Sequence, residues 1–354
     1  VAGEQTLAAM ARNVLRAADA PLRVAGRDVV ASLSIGVALA GEYADDVDGL
    51  LKCADAAMRA AKLAGGSRHR AYEPQMEADH RQRLDLDLRL RRALERGEFF
   101  LVYQPIVDAE GRGVVALEAL LRWADPERGV ISPADFIPLL EQSGLIVPVG
   151  RWTMHEACRR GRAWIDKGAE DLVMSVNVSP RQFAEPDFVQ TVAAVLAETG
   201  LPRGHLQLEV TEGILLEPTP QTLHKIDALV AAGVRLAVDD FGMGYSSLAY
   251  LKRFPLHALK IDRMFVRDLP EQRQDAAIVR AIVDLGHGLG LHVTAEGVEE
   301  ADQFHELRLL GCDSMQGYLF ARPVAAAEMT GVLAQPGRFG AAPSEAAPSW
   351  STTM

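Results

Sequence analysis

The sequence predicts an α/β chain, most of it a (β/α)8 barrel, preceded by a smaller α/β piece. Three observations carry this prediction. From Phe99 onward, eight short apolar runs alternate with stretches of helical spacing. Together they fill about 240 residues, the size of one such barrel. The polar residues of these runs gather at their C-terminal ends, where barrels of this kind keep their working groups. An open doubly wound sheet fits the same periodicity, which alone does not separate the two.

In chain order, residues 1–75 read as helix, hairpin and helix. Helical spacing covers 4–18 and 48–62, while 22–24 and 29–37 alternate around an Ala-Gly-Arg-Asp turn. Two helices and a hairpin make a thin core for an autonomous domain. Residues 76–97 read as a charged helical connector with Leu84, Leu86, Leu88, Leu90 and Leu94 set among Arg and Asp. The barrel is expected over 98–335, with strand-like runs at 99–107, 114–121, 172–178, 206–210, 234–238, 258–261 and 291–295 and a weaker one at 315–319. Helices fit between them at 136–143, 151–167, 188–199, 220–232, 276–289 and 300–310. The tail, 336–354, is Pro, Gly, Ala and Ser without apolar periodicity and is expected to be disordered.

Composition narrows the function classes. With 354 residues, 49% hydrophobic and 24% charged, the chain has the make-up of a globular protein with room for a sizeable core. No run approaches the about 18 apolar residues of a membrane span, and the first residues lack a signal-peptide layout, so no membrane segment and a cytoplasmic setting are expected. Cys53, Cys158 and Cys312 are odd in number and far apart, which suits free thiols rather than disulfides or zinc. A net charge of −11 argues against a nucleic-acid polymer as partner, because polyanions need a basic face. It leaves room for a small phosphate ligand neutralised by cations.

The residues that stand in or just after the runs are Glu118, Asn177, Glu209, Asp239, Asp240, Lys260, Glu296 and Gln316. Any one of them has an ordinary explanation, a salt bridge for a Glu or a turn for an Asn. Converging on one barrel mouth, five carboxylates and an amide oxygen would repel each other unless cations were present. Hard oxygen donors suit Mg²⁺ or Mn²⁺, and no His or Cys competes for the role. The consecutive Asp239 and Asp240 could bridge and flank two ions at about 3.5–4 Å, the spacing of two-metal phosphoester hydrolysis. Lys260 could then position a water or stabilise a phosphoryl oxygen, or else be an ordinary ion-pair partner.

Glu118-Ala119-Leu120-Leu121-Arg122-Trp123 resembles the signature of the EAL family of cyclic di-GMP phosphodiesterases. The likeness runs in order over roughly 80–335 through Tyr103-Gln104-Pro105-Ile106-Val107, Asn177-Val178-Ser179, Glu209-Val210-Thr211-Glu212, Asp239-Asp240-Phe241-Gly242, Leu259-Lys260-Ile261-Asp262, Ala295-Glu296-Gly297-Val298-Glu299 and Gln316-Gly317-Tyr318. The resemblance implies that Glu118, Asn177, Glu209, Asp239, Asp240 and Glu296 are metal ligands for two ions. It implies that Lys260 holds the nucleophilic water and that Glu212 braces the loop after Asp240. Gln104, Leu120, Arg122, Asp262, Gln316 and Pro323 fall at substrate-contacting positions, where Arg122 suits a phosphate. The implied reaction is hydrolysis of cyclic di-GMP to linear pGpG by in-line attack of a metal-bound water, in a homodimer. Met243 departs from the small residue usual in the loop after Asp240, which bears on loop geometry and rate. Ala116 stands where glycine is common.

A second resemblance lies upstream. Ser34-Ile35-Gly36-Val37-Ala38, then Ala54-Asp55-Ala56-Ala57-Met58 with Ala61-Lys62 and Gly65, looks like the C-terminal half of a GGDEF, diguanylate cyclase-like, domain. The half with the GGDEF loop is absent from this sequence, and Arg59 replaces the usual tyrosine. Two rival functions remain at this stage: a catalytically weak or inactive cyclic di-GMP receptor, and a barrel lyase using Lys260 as a Schiff base. An imine-forming lysine wants an apolar site rather than a carboxylate cluster.

Overall fold

The computed structural model describes residues 2–335 except 19–21, 25–26, 30–31, 42, 45, 217–218 and 243–250. The expectations for Met243 and for the tail 336–354 lie outside the described residues. The chain divides into two compact units, Val1–Arg89 and Leu90–Met354. No helix among the described residues is long and apolar enough to cross a membrane.

The first unit holds α1 (Ala2–Ala18), β1 (Leu22–Val24), β2 (Arg27–Val29), β3 (Ser34–Val37), α2 (Val47–Leu63) and β4 (Arg68–Ala71). Asp46 starts α2 by accepting a hydrogen bond from the Gly49 N–H at 2.6 Å. The helix lies close on β3, because a Cβ at Gly36 would fall 1.8 Å from the Ala54 carbonyl oxygen. That close approach accounts for the glycine in Ser-Ile-Gly-Val and for the alanines on the buried face of α2, Ala57 and Ala61. One expectation is corrected here, and one strand is added. Residues 29–37 are not one strand: β1 pairs antiparallel with β2, while β3 is separate and pairs in parallel with β4. β4 itself, Arg-His-Arg-Ala, carries too little apolar character to be read as a strand.

Helix α3 (Gln75–Ala93) leads into the second unit. Its strands are β5 (Phe99–Asp108), β6 (Val114–Asp125), β7 (Gly129–Ile131), β8 (Val173–Val178), β9 (Leu206–Thr211), β10 (Arg235–Phe241), β11 (Ala258–Ile261), β12 (His292–Ala295), β13 (Ser314–Gln316) and β14 (Val324–Ala325). Strands β6, β8, β9, β10, β11, β12 and β13 follow one another in parallel. β5 closes the ring by pairing antiparallel with both β13 and β6. The result is a closed eight-stranded barrel, so the open doubly wound sheet is ruled out. The first of the eight expected strand-and-helix repeats is a hairpin instead, because β5 turns directly into β6 without a helix.

Helices α4 (Pro133–Ser143), α5 (Ile146–Ile165), α6 (Pro180–Ala184), α7 (Phe188–Thr199), α8 (Glu212–Leu216), α9 (Pro220–Ala231), α10 (Arg273–Gly288), α11 (Ala301–Leu310) and α12 (Ala326–Leu333) follow the strands. The short α6, α8 and α12 and the small strands β7 and β14 escaped the sequence reading. Apolar residues of the strands, among them Met174, Val176, Leu208, Val210, Val238 and Leu259, form one buried core with the helices. Gly161 of α5 admits Met174 and Gly286 of α10 admits Val293, each so closely that a Cβ would collide. The alternate residues point into the barrel, and several are polar: Ser175, Gln207, Thr294 and Ser314 are all buried. This two-sided pattern places the functional groups, with apolar positions fastening each strand to the helices and polar ones filling the lumen.

Candidate active site

At the C-terminal ends of the parallel strands, the lumen opens onto Lys260. Its register partner on β12, Thr294, is buried as well, and Lys260 is only 1% exposed. Glu209 Oε2 lies 2.8 Å from Nζ, Asp239 Oδ1 3.3 Å and Glu118 Oε2 3.8 Å, and Glu296 is a fourth ion-pair partner. Burial by itself would lower the lysine pKa, but Glu118, Glu209, Glu296 and Asp239 hold it well above the usual value. An imine-forming lysine wants an apolar site, and four carboxylates around the ammonium are the opposite of one, which argues against the lyase reading.

Each carboxylate is set by its strand. Glu118 of β6 accepts from Asn177 Nδ2 at 2.6 Å on one oxygen and from Gln316 Nε2 at 2.6 Å on the other. Gln316 Nε2 also reaches Gln104 Oε1 at 3.0 Å, and Gln104 in turn donates to the Ala321 carbonyl. Gln104 and Gln316 are therefore buried amides tied to Glu118 as well as lining the cleft. On β9, Glu209 accepts from Ser175 Oγ at 2.6 Å.

Asp239 and Asp240 are adjacent, so a regular strand would send them to opposite faces. The register of β10 against β11 shifts between Val238 and Phe241, and Asp240 sits at φ 52°. Such a bulge turns a side chain back, and aspartate is among the few residues that tolerate the left-handed region. As a consequence, ligand oxygens of Asp239, Asp240 and Glu296 all lie within 4.8 Å of one another.

The electrostatics follow from this crowding. Burial pushes Glu296 up to about 7 against the pull of Lys260, with Asp239 and Glu118 adding to the rise. Burial, Asp239 and Asp262 push Asp240 up to about 6. Glu209 is raised as well, by burial first and against Lys260. Five carboxylates against one ammonium leave a formal charge of −4, which two divalent cations would neutralise. Among the described residues, the buried oxygens Glu209 Oε2 and Asp239 Oδ1 face Lys260 in distance but make no aligned hydrogen bond. Carboxylate and amide oxygens with spare lone pairs are the donor set of Mg²⁺ or Mn²⁺, so the residues fit such ions.

The remaining expected residues lie around this centre. A cleft of about 190 Å³ is lined by Gln104, Glu118, Leu120, Glu296, Gln316 and Tyr318. Half-buried Arg122 donates to the Leu121 carbonyl, and burial lowers its pKa. Asp262 accepts from the Met264 N–H at 2.7 Å, capping the turn Arg263–Phe265. Pro323 is half-buried just before β14. Glu212 opens α8 and is buried, outside the carboxylates paired with Lys260. Four residues near the centre escaped the sequence reading as site residues. Arg263 and Tyr318 line the cleft, while Ser175 and Gln207 lie among the buried residues of the lumen. For the latter pair the available signal was their position two residues before Asn177 and Glu209.

Comparison with known proteins agrees with this geometry. The EAL domain matches residues 87–323, and the GGDEF diguanylate cyclase domain matches residues 1–68. The bifunctional diguanylate cyclase/cyclic di-GMP phosphodiesterase MucR of Pseudomonas aeruginosa is 42% identical over 92% of this chain and 48% of its own. The cyclic di-GMP phosphodiesterase PdeR of Escherichia coli is 40% identical over 91% and 49%. Among solved structures, the PaMucR phosphodiesterase in complex with c-di-GMP superposes at a TM-score of 0.67 with 46% identity, covering 69% of this chain and 99% of that one. The EAL enzyme Bd1971 in its cAMP- and cyclic-di-GMP-bound form gives 0.69 at 31% identity, covering 82% and 76%. The chain spans about half the length of the curated relatives it matches.

Proposed function

The chain belongs to the EAL domain family, and from that membership we propose that it is a divalent-metal-dependent phosphodiesterase that hydrolyses cyclic di-GMP to linear pGpG. The observation that carries this reading is the excess of carboxylate over ammonium at the barrel mouth. Glu118, Asn177, Glu209, Asp239, Asp240 and Glu296 would hold two Mg²⁺ or Mn²⁺ ions. When bound, such ions neutralise the phosphodiester and acidify water. Lys260 orients the attacking water and stabilises charge on a phosphoryl oxygen through its buried ammonium. Arg122 offers a guanidinium to a non-bridging phosphate oxygen. Leu120, Asp262, Pro323, Gln104 and Gln316 shape the nucleotide's seat, and attack opposite the leaving oxygen opens the ring. Glu212 braces the loop that follows β10.

The setting proposed is the cytoplasm, which suits three buried free thiols, Cys53, Cys158 and Cys312. A homodimer is part of the same reading and is checked by light scattering. The function is tested by incubating the chain with cyclic di-GMP and Mg²⁺ or Mn²⁺ beside Glu118→Ala and Lys260→Ala. Linear product from the wild type alone supports the proposal. Tight binding of the nucleotide without any product would identify a receptor instead.

A further inference from the structure

Below the carboxylates, a directed chain of hydrogen bonds runs through the barrel lumen. Ser175 of β8 and Gln207 of β9 are register partners, as are Asn177 and Glu209 one step nearer the mouth. Gln207 Nε2 donates to Ser175 Oγ at 3.1 Å, and Ser175 Oγ donates to Glu209 Oε1 at 2.6 Å. Ser175 is fully buried, and Glu209 is 1% exposed. A hydroxyl has one proton to give. The Gln207 amide N–H donates to the hydroxyl and can accept nothing in return, so that proton is committed to Glu209. The other carboxylate oxygen, Oε2, is the one that faces Lys260 and makes no aligned hydrogen bond among the described residues.

We propose that Ser175, directed by Gln207, is a positioning residue that fixes the Glu209 carboxylate, so that Oε2 is the oxygen presented to a bound cation and to Lys260. The inference rests on the metal-site reading given above. It assigns a task to two buried residues outside the lining of the cleft, and it explains why polar side chains replace branched aliphatic ones at this level of the barrel. A carboxylate without the Ser175 bond could rotate its two oxygens between environments, and a ligand that must first be ordered binds its ion more weakly. Hydrogen-bond partners of ligating groups affect metal affinity or activity by about 10- to 100-fold.

The test uses chelator-stripped chain and Mn²⁺ alone, with affinity read from the free-Mn²⁺ electron paramagnetic resonance signal. Ser175→Ala is expected to weaken Mn²⁺ binding by about 10-fold or more and to lower kcat while KM for cyclic di-GMP stays put; Ser175→Thr, which keeps the hydroxyl, is expected to restore both. Gln207→Met keeps the volume and the hydroxyl but frees its direction, and is expected to show a smaller loss of the same sign. Folded Ser175→Ala that binds Mn²⁺ as tightly as the wild type overturns the inference. If that variant does not fold, wild-type affinity in Gln207→Met overturns it. A wild type that takes up no Mn²⁺ overturns the metal-site reading itself, and the inference with it.

Discussion

Replacing Lys260 by Met separates two roles of the ammonium that activity alone would confound. The side chain is buried among four carboxylates, three of them at 2.8, 3.3 and 3.8 Å. Removing one partner of a buried ion pair costs about 3–5 kcal/mol, since the other charge is left without compensation. Glu296, already at about 7, can take up a proton and relieve part of this, so the measurement belongs at pH 8. For a domain of this size 1 kcal/mol moves Tm by about 2–4 °C, so Lys260→Met in EDTA should melt about 6–20 °C below the wild type. Millimolar Mn²⁺ brings in the missing positive charge and should shrink that gap by more than half. Turnover should stay at least about 100-fold down, the loss expected when a donor to the transition state is removed. Circular dichroism melts of both proteins, in EDTA and in Mn²⁺, decide the matter. Equal stability in EDTA would refute the view that these carboxylates are held as buried anions, and a gap that Mn²⁺ leaves untouched would refute the cation site.

Three further outcomes follow from the same geometry. Because the fold raises Glu296 from its ordinary 4.5 to about 7, it favours the protonated form; the metal-free chain should therefore lose stability as pH rises from about 4.5 through 7. Cation binding runs the opposite way and should weaken as pH falls through 7 and 6, where Glu296 and Asp240 take up protons; an Mn²⁺ affinity flat from pH 5.5 to 8 would contradict this. Gly317→Ala would set a Cβ 1.9 Å from the Val298 carbonyl oxygen, which is backbone and cannot turn aside. It should cost about 1–3 kcal/mol in a denaturant titration and, by displacing the segment that carries Glu296, lower turnover; wild-type stability would show that the approach is looser than the structure has it.

Much of this was legible in the residues. The eight strand-like runs all became barrel strands because each alternates apolar anchors with lumen residues over a short length, and the carboxylates stand at their ends. Closure was not legible, since it depends on β5 pairing antiparallel not only with the adjoining β6 but also with β13, which is distant in sequence. β4 was missed because Arg68, His69 and Arg70 present no apolar face. The bulge that brings Asp239 and Asp240 to one side is a backbone property with no side-chain signature, although the choice of aspartate at φ 52° is consistent with it. Ser175 and Gln207 were passed over because polar residues inside buried runs gain meaning only from what lies across the strand.

The central claim is that this acidic mouth is a metal site that cleaves a cyclic dinucleotide. The most direct measurement is chromatography of cyclic di-GMP incubated with EDTA-stripped chain, before and after Mn²⁺ is restored. The account predicts intact substrate in the first sample and linear pGpG in the second. Cleavage that persists without divalent cations, or none after they are returned while the nucleotide still binds, would contradict it.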